Sequence, residues 1–366
     1  MNGHVDIEHS ALLGTGQGRR PPLISVVVPV FNEEEVVGHF HERMSRLLAE
    51  IDYPAEIVFV DDGSTDGTLQ ALHALRESDP RIAVLGLSRN FGKEIALSAG
   101  LDHASGDAVV VIDVDLQDPP EIIKEFIAKW EAGYDVVYGQ RIVRDGETAL
   151  KKMTAFLFYR VMRKLTRVNL PEDTGDFRLM SRRVVDALKS CREQHRFMKG
   201  LFAWVGYRQC AVRYHRESRV AGTTKFNYWK LWNFALEGIT SFTTGPLKVA
   251  TYVGFMTAAV AFFFLVWIVG KTLLHGDPVR GYPSLMAVVL FLGGIQLVTI
   301  GILGEYVGRM FDETKGRPLY LLKDVWPAES ADEDLAPDLL EHLGRRPGER
   351  QTVDARATSA LNERAR

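Results

Sequence analysis

Between residues 23 and 138 short apolar runs alternate with amphipathic stretches in a regular order. Residues 24–30 form a β-branched run, followed by a helix-like stretch over 33–51. Residues 57–60, 82–87, 108–112 and 135–138 read as further strands. The segments after Asp66, over 94–103 and over 121–131 read as helices. Buried strands of this kind, separated by amphipathic helices, predict an α/β domain with a mainly parallel sheet covered on both faces. In such sheets ligands bind at the carboxyl ends of the strands.

The pattern changes near the other end of the chain. Residues 247–274 contain only Lys248 and Lys271 as charged groups, and residues 284–307 are apolar apart from Gln296, Thr299 and Glu305. Each stretch exceeds the ~20 residues that cross a bilayer core as a helix, so two transmembrane helices are expected over 247–308. Lys225, Lys230 and Lys248 flank one side and Arg309, Lys315 and Arg317 the other. The positive-inside rule then places both termini in the cytoplasm, with the short link over 275–283 outside. Basic residues interleave with apolar and aromatic ones over 150–166, and aromatic residues with Lys230 over 228–242, as suits helices lying at a bilayer interface. The expected organisation is a Gly-rich leader over 1–22, a soluble domain over 23–225, an interfacial helix over 226–246, the membrane hairpin, and a tail over 309–366. That tail turns charged and Pro-rich after 327 and is expected to be disordered there.

Composition narrows the reading by exclusion. Charge is nearly balanced, 44 Lys and Arg against 47 Asp and Glu, so no nucleic-acid partner is implied. Two cysteines, Cys191 and Cys210, form neither a metal-type pair nor a disulfide framework. The Gly-x-Gly-x-Gly run from Gly14 lacks Rossmann spacing and precedes the first strand, and no P-loop pattern is present.

Three strand ends carry the chemistry, the first of them in Pro29-Val30-Phe31-Asn32-Glu33. Asp113-Val114-Asp115 follows an apolar run directly, and two carboxylates at this spacing can reach one hard divalent cation, with Gln117 as a further oxygen ligand. Such a cation can hold the phosphates of a nucleotide. Asp61-Asp62 ends the second strand; Asp62 could accept from a base or a ribose hydroxyl, while Gly63, Ser64, Asp66 and Gly67 suit a turn and a helix cap.

Assembled, these stretches resemble family 2 glycosyltransferases, and within them the polyprenyl-phosphate group that contains dolichol-phosphate mannose synthases and bactoprenol glucosyltransferases. The resemblance rests on VVVPVFNEEE from Val26, FVDDGSTDGT from Phe59, LSRNFGKEIALSAGLDHASGD from Leu87 and IDVDLQDPPE from Ile112. YGQR at Tyr138, DTGDFRLMSRRVVDAL from Asp173 and RVAGTTKF from Arg219 extend it. It implies a GT-A nucleotide-sugar-binding fold and a pocket in which Pro29, Phe31, Glu33, Val60 and Asp62 surround base and ribose. Asp113, Asp115 and Gln117 would hold Mg²⁺ or Mn²⁺ against the diphosphate, with Val114 between them facing the sugar. Arg141, Arg219 and Lys225 would bind phosphate oxygens of donor or acceptor. Phe31 stands where many relatives have Tyr, and Val114 where Ala or Gly is more frequent.

The activity implied by the resemblance is inverting transfer of a hexose from a nucleotide sugar, UDP-glucose first, to undecaprenyl or a similar polyprenyl phosphate. The acceptor phosphate is already anionic, so it needs positioning more than deprotonation. A homo-oligomer and a separate flippase acting on the product are further expectations. GDP-mannose-dependent transfer, a processive polysaccharide synthase and a non-catalytic membrane adaptor are the competing readings. Gln194-His195-Arg196-Phe197 does not supply the Gln-x-x-Arg-Trp motif of the synthase. Asp173 and Asp176 could contact the donor sugar or order Arg178, and the sequence leaves both open.

Overall fold

In the computed structural model the described residues are 21–142, 171, 174–217, 245–275 and 281–328. Arg219, Lys225, Asp173 and both basic interfacial stretches therefore lie outside them. An eight-stranded sheet runs in the order β7-β5-β6-β4-β1-β2-β3-β8. Its strands are β1 Ile24–Val30, β2 Ala55–Asp61, β3 Ile82–Leu87, β4 Ala108–Val111, β5 Val136–Arg141, β6 Thr174–Ser181, β7 Gln209–Tyr214 and β8 Leu322–Trp326. β1 pairs in parallel with β2 and β4, β2 with β3, and β5 with β7, while β6 and β8 run antiparallel to their neighbours. The carboxyl ends of β1 to β5 and β7 therefore share one edge with the amino end of β6.

The strands alternate between two cores. Val26, Val28 and Val30 of β1 face one cluster, which includes Phe40 and Met44 of α1 (Glu34–Leu48) and Phe126 of α4 (Ile123–Glu131). Val27 faces the other, with Leu97 of α3 (Lys93–His103), Val184 of α5 (Arg182–Ser190) and Leu201 of α6 (Met198–Trp204). α2 (Thr68–Ser78) buries Leu72 against the first core. α3 lies so close to β1 that a side-chain carbon at Gly100 would overlap Val27 Cγ1, so only glycine fits there.

Two long helices come next, α7 Gly245–His275 and α8 Tyr282–Thr314. With 31 and 33 residues they are about 46 and 50 Å long, against about 30 Å for a bilayer core. Their most apolar windows are 6 % and 0 % buried, so neither is packed as the core helix of a soluble protein is. Beyond α8 the chain returns to the sheet. Ser88 N–H donates to Leu321 C=O (2.9 Å), β8 pairs with β3, and Trp326 packs edge-on against His73 with centroids 4.1 Å apart. The sequence reading assigns residues 322–326 to the tail; in the fold they form an edge strand. Gln194 N–H donates to Glu313 Oε1 (2.7 Å) and His195 Nε2 lies 3.2 Å from Asp312 Oδ2, so the end of α8 is fastened to the soluble domain as well.

Candidate active site

At the β1 and β2 ends the chain folds back on itself through main-chain hydrogen bonds. Asn32, in the left-handed region at φ 53°, donates its N–H to Ser64 Oγ (2.9 Å) and accepts from Thr65 N–H at Oδ1 (2.8 Å). Asp61 accepts from Ser64 N–H (3.2 Å), closing a turn completed by Gly63 at φ 69°. A side chain at Gly63 would also run into the main chain at Arg89 and Asn90. Asp62 is buried, and its two oxygens accept from Phe91 N–H (2.7 Å) and Gly92 N–H (2.9 Å), which ties the β2 end to the loop after β3. Burial raises the Asp62 pKa against the pull of those two donors.

Beyond β4 the burial alternates residue by residue. Val114, Leu116 and Asp118 point inward, while Asp113, Asp115 and Gln117 are half-buried on the other side. Leu116 sits at φ 56°, an uncommon conformation for a non-glycine residue that marks backbone strain at this loop. The turn it makes lets Gln117 N–H donate to Asp115 Oδ1 (3.2 Å). The Val111–Arg178 register of β4 and β6, continued by two residues, sets Asp113 across from Asp176. Lys93, at the start of α3, joins them: its Nζ lies 2.6 Å from Asp113 Oδ1 and 2.7 Å from Asp176 Oδ2. Desolvation alone would lower the Lys93 pKa, but the two carboxylates outweigh it and hold the ammonium well above the usual lysine range. Asp176 is in turn held well below the usual carboxylate range, because Lys93 and Lys199 overcome its burial. Glu94 beside it is pushed up to about 7 by burial and by Asp176.

Next to this cluster Arg141, at the end of β5, donates to Asp118 (Nη2 to Oδ2 3.2 Å) and to Tyr214 Oη (Nε, 3.2 Å). Tyr214 Oη–H donates to Asp118 Oδ1 (2.5 Å). Arg178 stays within β6: it donates to the carbonyls of Gly175 and Asp176 and its guanidinium stacks 3.6 Å over Phe202, so burial pulls its pKa down to about 10.

Residues 25–189 match glycosyl transferase family 2 and residues 245–310 match the GtrB C-terminal hairpin. The chain is 52 % identical over 301 residues to the bactoprenol glucosyl transferase of Shigella phage SfV, covering 82 % of this chain and 98 % of that one. A prophage bactoprenol glucosyl transferase homolog of Escherichia coli is 52 % identical over 302 residues, covering 82 % and 99 %. An uncharacterized glycosyltransferase of Synechocystis is 52 % identical over 306 residues, covering 84 % and 96 %. The chain belongs to glycosyl transferase family 2.

In this glycosyltransferase one sheet edge carries Phe31, Glu33, Asp62, Asp113, Asp115 and Gln117 at the three strand ends that the sequence reading named, and Arg141 at the end of β5. Pro29, Val60 and Val114 are there too, but their side chains are buried, so they offer the site main chain only. Asp62 has both oxygens engaged by the loop after β3. Sequence reasoning missed Lys93, Asp118 and Tyr214. Of these only Asp118 leaves a trace in the sequence, as an acid directly after Gln117 and before Pro119-Pro120. The Asp176 carboxylate turns to Lys93, and it is the Asp176 carbonyl that accepts from Arg178.

The donor set suits a hard cation in a particular way. Among the described residues no three His, Cys, Asp or Glu side chains gather to enclose a metal. Two carboxylates and an amide oxygen on one side of a loop are instead what Mg²⁺ or Mn²⁺ uses when substrate phosphates complete its coordination. Nearby, Asp176 Oδ1 is buried without a hydrogen-bond partner, so acceptor capacity remains on the same edge.

Proposed function

We propose that this glycosyltransferase moves glucose from UDP-glucose to a membrane polyprenyl phosphate, with inversion, to give a lipid-linked sugar. The observation that carries the reading is the match to bactoprenol glucosyl transferases along nearly their whole length, C-terminal hairpin included. In the proposal Asp113, Asp115 and Gln117 hold Mg²⁺ or Mn²⁺. Bound there, the cation would offset the negative charge that develops on the departing diphosphate. Phe31, Glu33 and the 61–68 turn frame the nucleoside. Lys93 keeps the acidic edge in place by balancing Asp113 and Asp176. Arg141, together with Arg219 and Lys225, orients the acceptor phosphate, for which a guanidinium fork is suited.

The two helices would span the membrane with both termini cytoplasmic. In support, the return of the chain from α8 into the catalytic sheet puts the end of the hairpin on the same side as the active site. A homo-oligomer and a separate flippase complete the proposal. The test is an assay on membranes containing the protein, polyprenyl phosphate and Mn²⁺, with a panel of labelled nucleotide sugars. Lipid-linked glucose from UDP-glucose is expected. Lipid-linked mannose from GDP-mannose alone would shift the donor assignment, and no product from any donor with folded protein would overturn the reading.

A further inference from the structure

Between the loop that carries Asp113, Asp115 and Gln117 and Arg141, which the proposed function assigns to the acceptor, lies a contact that the reaction as proposed does not use. Asp118 is 1 % exposed, the first residue after the Asp113–Gln117 donor set, and it is met from two other strands. Tyr214 at the end of β7 and Arg141 at the end of β5 both donate to it, and Arg216 Nε stands 4.0 Å away. One residue further along, Glu217 N–H donates to Gln117 C=O (3.0 Å). Arg43 of α1 closes the junction from outside, reaching Glu121 (2.7 Å) and Glu217 (2.9 Å). Two of the three guanidinium nitrogens of Arg141 are taken by Asp118 and Tyr214, which fixes the plane of the group. The guanidinium also lies against Gly175, where a side-chain carbon would sit 2.6 Å from Nη2.

We infer that Asp118 is a positioning residue: standing at the end of the loop that carries Asp113, Asp115 and Gln117, it fixes the guanidinium of Arg141 and so sets where the acceptor phosphate is received. The inference rests on the acceptor reading above. Asp118 itself touches neither substrate. Its carboxylate holds the guanidinium that does.

The test compares wild type with Asp118→Asn in vesicles containing polyprenyl phosphate, and measures acceptor KM, kcat and the affinity for UDP with Mn²⁺. Loss of one charge-assisted hydrogen bond should raise acceptor KM about tenfold. UDP affinity should stay within about twofold, since the cation ligands are untouched. In an Arg141→Gln background the same change should add nothing, because the two residues act as one unit. An unchanged acceptor KM, an equal loss of UDP affinity, or full additivity with Arg141→Gln would each overturn the inference. Should Asp118→Asn fail to fold, Tyr214→Phe removes one bond of the same lock and is expected to raise acceptor KM less; no rise there overturns it equally. Wild-type protein that yields no lipid-linked product overturns the acceptor reading and this inference with it. Wild-type product alongside an unaltered Asp118→Asn acceptor KM overturns this inference alone.

Discussion

At the ends of β1 and β2 the polar groups are answered by main chain and small hydroxyls: Asp61 by Ser64 N–H, Asp62 by the N–H groups of Phe91 and Gly92, Asn32 by Ser64 and Thr65. At the ends of β4, β5, β6 and β7 the answers are charges. Lys93 stands between Asp113 and Asp176, and Arg141 and Tyr214 close on Asp118. One half of the edge is thus a rigid frame in which main-chain and hydroxyl donors answer the acids, and the other a set of paired charges. Bonds to backbone donors hold a shape whatever arrives. Balanced charges respond to an incoming anion or cation, which is why the proposed function gives the second half the phosphates and the first the nucleoside. The difference predicts that equal damage to the two halves has unequal consequences.

The largest effect is expected from Asp115→Asn, which keeps the shape of the charged half and removes a charge. Transfer activity should fall by about 10²–10³-fold, the scale of losing one electrostatic group aimed at the developing charge. Thermal stability should hardly move, because Asp115 is only half-buried. Activity within a fewfold of wild type would break the comparison, since the charged half would then not be where the diphosphate is stabilised.

The same division explains what could be read from the sequence. β1 to β4 were legible because strands buried on both faces read as unbroken apolar runs; β3 falls on residues 82–87 as predicted and β4 ends one residue early. β6 was not, since TGDFRLMS buries Asp176 and Arg178 inside a strand and has no strand pattern. β8 was hidden for another reason: five residues beyond a membrane-length helix carry no local sign that they pair with β3. Asp113, Asp115 and Gln117 could be found from spacing alone. Lys93 could not, because what makes it part of the site is a register between β4 and β6 that only the fold supplies.

Asp62→Ala probes the main-chain frame and should do the reverse of Asp115→Asn. It leaves the N–H groups of Phe91 and Gly92 without their carboxylate, each worth about 1–3 kcal/mol where water cannot replace it. The expected outcome is a clear drop in denaturation midpoint, with UDP affinity weakened because the loop after β3 loosens. Equilibrium denaturation of the protein in detergent, with calorimetry for UDP, measures both. Unchanged stability together with lost UDP affinity would move Asp62 from frame to direct nucleotide contact.

The smallest effect belongs to Glu94, whose carboxyl is raised from an ordinary 4.5 to about 7 by burial and by Asp176. The folded state therefore binds a proton more tightly than the unfolded chain does. The stability this contributes is complete below pH about 4.5 and is lost as pH rises through about 7. Glu94→Gln cannot ionise, yet its amide oxygen can still accept from Met198 N–H as Glu94 Oε2 does. The variant should match wild type near pH 5 and become the more stable of the two towards pH 8, the gap opening between about pH 5 and 7. Melting temperatures across that range test it. A gap independent of pH would mean that Glu94 stays ionised throughout, and that the charged half of the edge balances with one more negative charge than Lys93, Asp113 and Asp176 account for.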